Sequence, residues 1–146
     1  MNSSSAEIPR SRERENAFLV YYAQHFKNAG PEENIVASDI TKVLNSLRPD
    51  EKAGAFLLEL VHLAHTNKIK IQKLIQTHLK NWRLERLAKV DVTLLILGTA
   101  ELHYLSPATP KAVVCNEYVE LAKRYGHADS ANFINATLES IAQSSN

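Results

Sequence analysis

The stretch from Lys89 to Leu105, KVDVTLLILGTAELHYL, decides the fold of this chain. Between Val90 and Leu97 only Asp91 and Thr93 are polar, so a helix here is apolar on nearly every face. A helix of that kind is buried inside a larger assembly rather than laid on its surface. A strand over VTLLIL alone is the alternative, but the good helix formers on both sides favour a helix. The stretch therefore predicts a central, buried helix.

A single globular domain accounts for the composition, with 146 residues, 45% hydrophobic and 23% charged. A chain of this length buries about two thirds of the surface that it exposes when unfolded. The net charge of +1 gives no overall attraction to nucleic acid, so such a role needs a local patch. The central stretch is shorter than the roughly 20 apolar residues that a membrane helix needs, and no membrane role is expected. A lone cysteine, Cys115, and the lack of a signal peptide predict a cytoplasmic protein.

Breaks in the hydrophobic pattern divide the chain into about seven helices, and no strand is secure. The residues from Met1 to Ile8 are expected to be a disordered tail, followed by one domain over residues 9–146. Pro9 is suited to the first position of the first helix. We expect Asp50 to cap the third helix and Gly126 to be a left-handed residue after the sixth. Further breaks are expected at Asn28 to Pro31, in a loop from Glu32 to Ser38, at Thr66 and Asn67, and from Ser106 to Pro110.

Histidines raise the question of a metal site. Glu59, His62 and His65 stand at i, i+3 and i+6, and an E-x-x-H element occurs in di-iron helical bundles. Such a site needs a second E-x-x-H, which the chain lacks, and one cysteine supplies a structural zinc site poorly. Cys115 lies in an apolar stretch with no marked partner base, which favours a buried thiol. We therefore expect no metal, no cofactor and no catalytic residue.

Basic and aromatic residues lie together at the start of the first helix. Arg10, Arg12 and Arg14 alternate there, and Tyr22 lies only about 80° around the helix from Arg14. Guanidinium groups bind phosphates, and an exposed aromatic ring can stack on an unpaired base. The pattern is typical of an RNA-binding patch. Because two glutamates are interleaved, a salt-bridged helix start without RNA binding is the alternative.

A second aromatic residue stands out in the last helix. Phe133 lies off the apolar stripe of that helix, one turn after Asp129. An aromatic residue off the buried stripe is a candidate for a contact surface. A broad core that includes Phe133 is the alternative.

Five segments of the chain form a combination that is specific, although no single segment is. They are Arg10–Arg14 with Glu15, Ala17 and Tyr22, RLERLAKVD from Arg83 to Asp91, AEL from Ala100 to Leu102, PKAVVCNEYVELAKRYG from Pro110 to Gly126, and ADSANFINATLESI from Ala128 to Ile141. In this combination the chain resembles the NusB family of bacterial transcription antitermination factors. The resemblance implies an all-α helical bundle of two packed three-helix groups and a short extra helix.

The resemblance also implies a non-enzymatic role. NusB-like proteins pair with the ribosomal protein that doubles as NusE, and the pair binds the boxA sequence of nascent, single-stranded RNA. Binding holds the RNA near the RNA polymerase elongation complex and favours readthrough of terminators, notably in ribosomal RNA operons. Some members self-associate through the surface that others use for RNA, so a homodimer stays open.

Particular residues take roles through this resemblance. The RNA-binding positions of the family correspond to Arg10, Arg12, Arg14, Tyr22, Asp129 and Phe133, and its NusE-binding positions correspond to His78 and Asp91. The chain departs from the family where Ser11 and Glu13 dilute the arginine cluster. Ile96 and Ala100 also stand where the family commonly has arginine and tyrosine.

Two other classes of protein stay open at this point. RNA cytosine methyltransferases can begin with a NusB-like domain, but they continue into a Rossmann-like catalytic domain, whereas this chain ends at Asn146. A helical protein-interaction module without RNA binding is the other. Binding of boxA-like RNA with and without NusE separates this module from an antitermination factor.

Overall fold

Seven α-helices are present in the computed structural model, which describes residues 8–27, 37–105 and 109–144. No strand occurs in these ranges, so the all-α prediction is confirmed there. Several predicted features lie outside the described residues. They are the tail except for its last residue, the stop after the first helix, and most of the breaks predicted at residues 32–38 and 106–110. The helices are α1 (Arg10–Lys27), α2 (Ala37–Leu47), α3 (Ala55–Thr66), α4 (Lys68–Thr77), α5 (Lys89–Ala100), α6 (Lys111–Tyr125) and α7 (Ser130–Ser144). A 3-10 turn, Leu84–Arg86, precedes α5, and a π-helical turn, Glu101–Leu105, follows it.

Helix α5 lies at the centre of the molecule. All nine residues from Val92 to Ala100 are buried, which a helix on the surface does not show. The central helix predicted from the sequence is confirmed, and the strand alternative is wrong. Thr93 is tolerated in this setting because its hydroxyl donates a hydrogen bond to the carbonyl of Lys89 at 2.8 Å. In the described ranges, no helix has the length and apolar character needed to cross a membrane.

Two groups of three helices pack together through α5. Helix α1 packs against α2 and α3, while α5 packs against α6 and α7 and also contacts α1 and α3. Helix α4 is the extra helix, and it packs mainly on α5. Gly98 allows α5 to approach α7 closely, because a Cβ atom there would lie 2.9 Å from Cδ1 of Leu138. The predicted two-group architecture is confirmed.

Helix α3 begins later than the sequence predicts. Asp50 was the expected cap, but the helix begins at Ala55, after an extended Gly54. The carboxylate of Glu13, in α1, accepts a hydrogen bond from the backbone N–H of Leu57 at 3.0 Å. This bond satisfies one of the N–H groups that the first turn leaves without a helical partner. The Asp50 prediction is wrong because the cap comes from a distant helix.

The turn between α6 and α7 also differs from the prediction. Gly126 has φ −96° and ψ −168°, which is extended backbone and not the expected left-handed conformation. There is no space for a side chain at Gly126, because a Cβ atom would lie 2.6 Å from Oγ of Ser130 and 2.8 Å from the carbonyl oxygen of Ala122. Glycine is therefore needed for close approach of the two helices.

Truncation of the central helix tests its role in stability. Leu95 is fully buried in α5, so Leu95→Ala should lower the free energy of unfolding by about 2–5 kcal/mol. Leu47→Ala is the control, because Leu47 lies largely exposed at the end of α2 and should cost far less. Urea denaturation measures both values. Equal stability of the two variants would contradict the central position of α5.

Candidate nucleic-acid interface

The three arginines of α1 do not share one surface. Consecutive arginines are two residues apart, which is about 200° around a helix, whereas Arg10 and Arg14 are only about 40° apart. Arg10 and Arg14 accordingly meet the same ring: their guanidinium carbons lie 4.3 and 5.2 Å from the centroid of Phe56. Arg12 lies on another side of α1. The three arginines therefore lie on two sides of α1, with Arg10 and Arg14 on one side and Arg12 on the other.

Arg14 is buried, with 3% of the residue exposed. Its Nε donates to Oε1 of Glu101 at 2.8 Å, its Nη2 donates to the other oxygen, and its Nη1 donates to Glu117 at 3.3 Å. The hydroxyl of Tyr118 also donates to Glu101, at 2.9 Å. The prediction of an exposed patch of three arginines is wrong for Arg14, because its guanidinium is enclosed between α5 and α6.

Arg12 is partly exposed but already engaged. Its Nε and Nη2 donate to both carboxylate oxygens of Glu51, with the shortest distance 2.7 Å. Its Nη1 donates to Glu15 at 3.2 Å. Arg10 is exposed and lies over Phe56. Of the three predicted arginines, only Arg10 is both exposed and outside the ion pairs described here.

Glu15 binds further cationic side chains, which the sequence pattern does not place beside it. Its Oε2 accepts hydrogen bonds from Arg48 at 3.1 Å, from Arg124 at 2.8 Å and from the hydroxyl of Tyr125. Burial opposes ionisation of this carboxyl group, but the bonds from Tyr125, Arg124 and Arg48 outweigh it and lower its pKa to about 2. Arg124 and Arg48 lie 109 and 33 residues from Glu15, so no local pattern could have associated them.

Tyr22 is half-buried on the other end of α1. Its ring stacks on Phe18 with 5.7 Å between centroids, and Phe18 in turn lies 4.9 Å from the ring of Tyr125. Tyr22 therefore has one face against the core and part of its ring available to solvent. Half-burial fits either a contact residue or a core residue, so its predicted RNA contact stays a prediction.

Three of the predicted site residues line one open cavity of about 350 Å³. Asp91, Asp129 and Phe133 are brought together there, along with Trp82 and Arg86 from the segment before α5. Trp82 is 60% exposed and was not predicted to belong to a site. In the sequence, Trp82 stands out only as a tryptophan in the short, charged connection between α4 and α5. The cavity is thus lined by the rings of Trp82 and Phe133, two carboxylates, one guanidinium and the imidazole of His127.

Asp91 and His78, the predicted partner contacts, lie in different surroundings. Oδ1 of Asp91 is buried and has no hydrogen-bond partner among the described residues. His78, at the end of α4, contacts α7: its Nδ1 is 2.7 Å from Oγ of Ser140 and its Nε2 is 3.3 Å from Oγ of Ser144. Asp91 is half-buried and lines the cavity, whereas both ring nitrogens of His78 are engaged within the chain.

The residues considered for metal binding do not come together in the described ranges, where no group of three histidine, cysteine or acidic side chains could hold an ion. Glu59 and His62 are exposed on α3, while His65 is buried. Cys115 is a buried free thiol, as predicted. Burial, together with the nearby charge of Glu139, raises the pKa of this thiol and makes it a poor nucleophile.

Comparisons with known proteins agree on one family. The family model for the NusB family matches residues 11–143. The transcription antitermination protein NusB of Koribacter versatilis is 40% identical over 94 residues, which are 64% of this chain and 64% of that protein. Among solved structures, T. maritima NusB has a TM-score of 0.80 at 30% identity, covering 95% of this chain and 94% of the other.

A crystal structure of antitermination factors NusB and NusE in complex with dsRNA contains a chain with the same fold. Its TM-score is 0.75 at 27% identity, and the match covers 93% of this chain and 98% of that chain. The similarity therefore extends over nearly the whole chain.

Loss of the buried arginine should act on stability. Arg14→Gln leaves two carboxylates without their cation, so we expect the free energy of unfolding to fall by about 3–5 kcal/mol. Arg10→Gln is the control, since Arg10 is exposed and its loss should cost little. Thermal and urea denaturation of both variants measure the difference. An Arg14→Gln protein as stable as Arg10→Gln would contradict the role assigned to the ion pair.

Proposed function

The chain belongs to the NusB family, and from this premise we propose that it is a transcription antitermination factor. It binds boxA-type single-stranded RNA together with the ribosomal protein NusE and promotes readthrough in ribosomal RNA operons. In this role it works in the cytoplasm beside the RNA polymerase elongation complex. The relatives named above are antitermination proteins, which are not enzymes.

The observation that carries the proposal is the cavity shared by Asp91, Asp129 and Phe133. Asp91 is the proposed NusE contact, whereas Asp129 and Phe133 are proposed RNA contacts. Because these residues line one cavity, a protein partner and an RNA strand would meet there. Joint binding is the behaviour expected of an RNA-binding protein that depends on a partner.

The partner side of the cavity favours a basic side chain. Asp91 is half-buried and lines the cavity, to which Trp82 presents an exposed ring. A carboxylate accepts charge-assisted hydrogen bonds from a guanidinium or ammonium group, and an aromatic face attracts the same cation. We assign this side to NusE, with His78 as a second contact further along the surface between α4 and α7.

The RNA side combines cations with rings. At the start of α1, Arg10 is exposed and Arg12 is partly exposed. Tyr22 follows three turns later on the same helix, and Phe133 lines the cavity. Phosphates would lie along the arginines while unpaired bases stack on the aromatic side chains. Arg14, enclosed by its ion pairs, supports this surface by holding α1 in place rather than by meeting a phosphate.

Titration with RNA tests the function. We expect weak binding of boxA-type RNA by the protein alone and tighter binding with NusE, because few arginines are available on a chain of nearly neutral charge. Each phosphate contact of a single strand contributes about 0.7 to the log–log salt slope, so Arg10 and the partly exposed Arg12 should together contribute about 0.7 to 1.4. Affinity is measured by fluorescence anisotropy, with light scattering to detect a homodimer. A scrambled RNA of equal length is the control, and equal binding of both RNAs with NusE present would refute the proposal.

Replacement of the two aromatic residues tests the RNA surface. Base stacking is worth about 1–3 kcal/mol, so Tyr22→Ala and Phe133→Ala should each weaken boxA binding roughly 5- to 150-fold with NusE present. Most of the stability should remain, because both rings are only half-buried. Asp129→Asn should tighten binding, since it removes a charge that repels phosphate.

Tyr104→Ala is the matched control for these variants, because Tyr104 is an exposed ring in the π-helical turn after α5. Its RNA affinity should equal that of the wild-type protein. Aromatic variants that bind RNA normally but melt early would identify Tyr22 and Phe133 as core residues instead.

A further inference from the structure

The phosphate-binding edge of Arg12 is occupied by a carboxylate from the same chain. Glu51 accepts hydrogen bonds from both Nε and Nη2, the pair of donors that a guanidinium presents to a carboxylate or a phosphate. The third nitrogen, Nη1, donates to Glu15. Even so, 39% of the Arg12 side chain is exposed. An RNA phosphate can therefore reach Arg12, but it must replace Glu51 to bind it bidentately.

Glu51 is held in this position by the connection between α2 and α3. Its backbone N–H donates to the carbonyl of Arg48 at 3.0 Å, and the side-chain amide of Asn16 donates to its Oε1 at 2.9 Å. The bonds from Arg12 and Asn16 lower the pKa of Glu51 to about 2, so it is fully charged at neutral pH. Glu51 is thus a permanent counter-ion on the exposed side of α1.

We infer that Glu51 sets the RNA affinity of this protein by competing with RNA phosphate for Arg12. The inference rests on the proposed function and adds a residue that controls it. Binding of the strand exchanges the Arg12–Glu51 ion pair for an Arg12–phosphate pair, so part of the attraction is lost to the released carboxylate. This competition lowers the RNA affinity expected from an arginine-rich helix start, both with and without a partner.

Other acidic residues near α1 do not act in the same way. Glu15 is 7% exposed and is shared among Arg12, Arg48, Arg124 and Tyr125, so an RNA strand cannot displace it without breaking this group. Glu13 is directed to the first turn of α3. Glu51, with 25% of its side chain exposed, is the more exposed of the two carboxylates that Arg12 binds.

Glu51→Gln is the test, measured on the full chain with NusE and boxA-type RNA. We expect RNA affinity to rise about 2- to 5-fold, as for loss of a competing exposed ion pair. The salt slope should steepen by at most about 0.7, the value of one phosphate contact, because without Glu51 the Arg12–phosphate contact is made in every complex. Glu59→Gln, which removes an exposed carboxylate from α3, controls for overall charge and should change neither quantity.

A double-variant cycle shows whether Glu51 acts through Arg12. In an Arg12→Gln background, Glu51→Gln should have no effect on RNA affinity or on the salt slope, because no competition remains. The cycle is repeated with Glu51→Ala, because Gln keeps an acceptor for Asn16 and Ala does not. Melting temperatures are measured for every variant.

The outcomes separate this inference from the function on which it rests. If the wild-type protein with NusE does not bind boxA-type RNA, the proposed function fails. If it binds, and both Glu51 variants fold and bind with unchanged affinity and salt slope, the inference alone is overturned. Early melting of the Glu51 variants with unchanged RNA binding would also overturn it, because the ion pair would then be purely structural.

Discussion

The buried ion pair between Arg14 and Glu101 is the constraint on which the rest of the structure depends. It joins α1 to the π-helical turn after α5, and Glu117 and Tyr118 bring α6 to the same charges. Burial disfavours the charged form of Arg14, but the hydrogen bonds that it donates to Glu101 outweigh burial and keep the pKa of the guanidinium above its ordinary value. The guanidinium and the carboxylate form a buried ion pair, and each is stable there only while the other is present. The two helix groups are therefore fixed to each other by a polar contact as well as by the apolar surface of α5.

Hydrophobic periodicity predicted most of the fold. The apolar run in α5 identified the central helix, and the breaks identified where the other helices begin and end to within a few residues, apart from α3. At Gly126 the error concerned the backbone conformation, and the atoms that crowd this glycine belong to Ala122 and Ser130, only four residues away. At α3 the error arose because a distant residue, Glu13, caps the helix in place of Asp50. A pattern within a window of sequence contains no information about such partners.

The surroundings of charged residues were harder to predict than those of apolar residues, because they also depend on partners that are distant in sequence. An arginine next to glutamates in sequence can be exposed, paired or buried, and Arg14 finds its carboxylate 87 residues away. Helical geometry could have warned of this difference, since residues at i and i+2 lie on different sides of a helix. What geometry alone could not supply is the convergence of Arg48 and Arg124 on Glu15, which needs the packing of α6 beside α1.

In the proposed complex with NusE, dependence of RNA binding on the partner follows from how carboxylates are distributed over the proposed RNA surface. Asp91 and Asp129 line one cavity, so an RNA strand that approaches Phe133 meets two negative charges. A basic side chain of NusE bound at Asp91 would neutralise one of them and thereby lower the cost of bringing phosphate close. Linkage requires the effect to be reciprocal: RNA must raise the affinity for NusE by the factor by which NusE raises the affinity for RNA. Glu51 lies outside this coupling because it acts on Arg12, so it changes the affinity for RNA at every concentration of the partner.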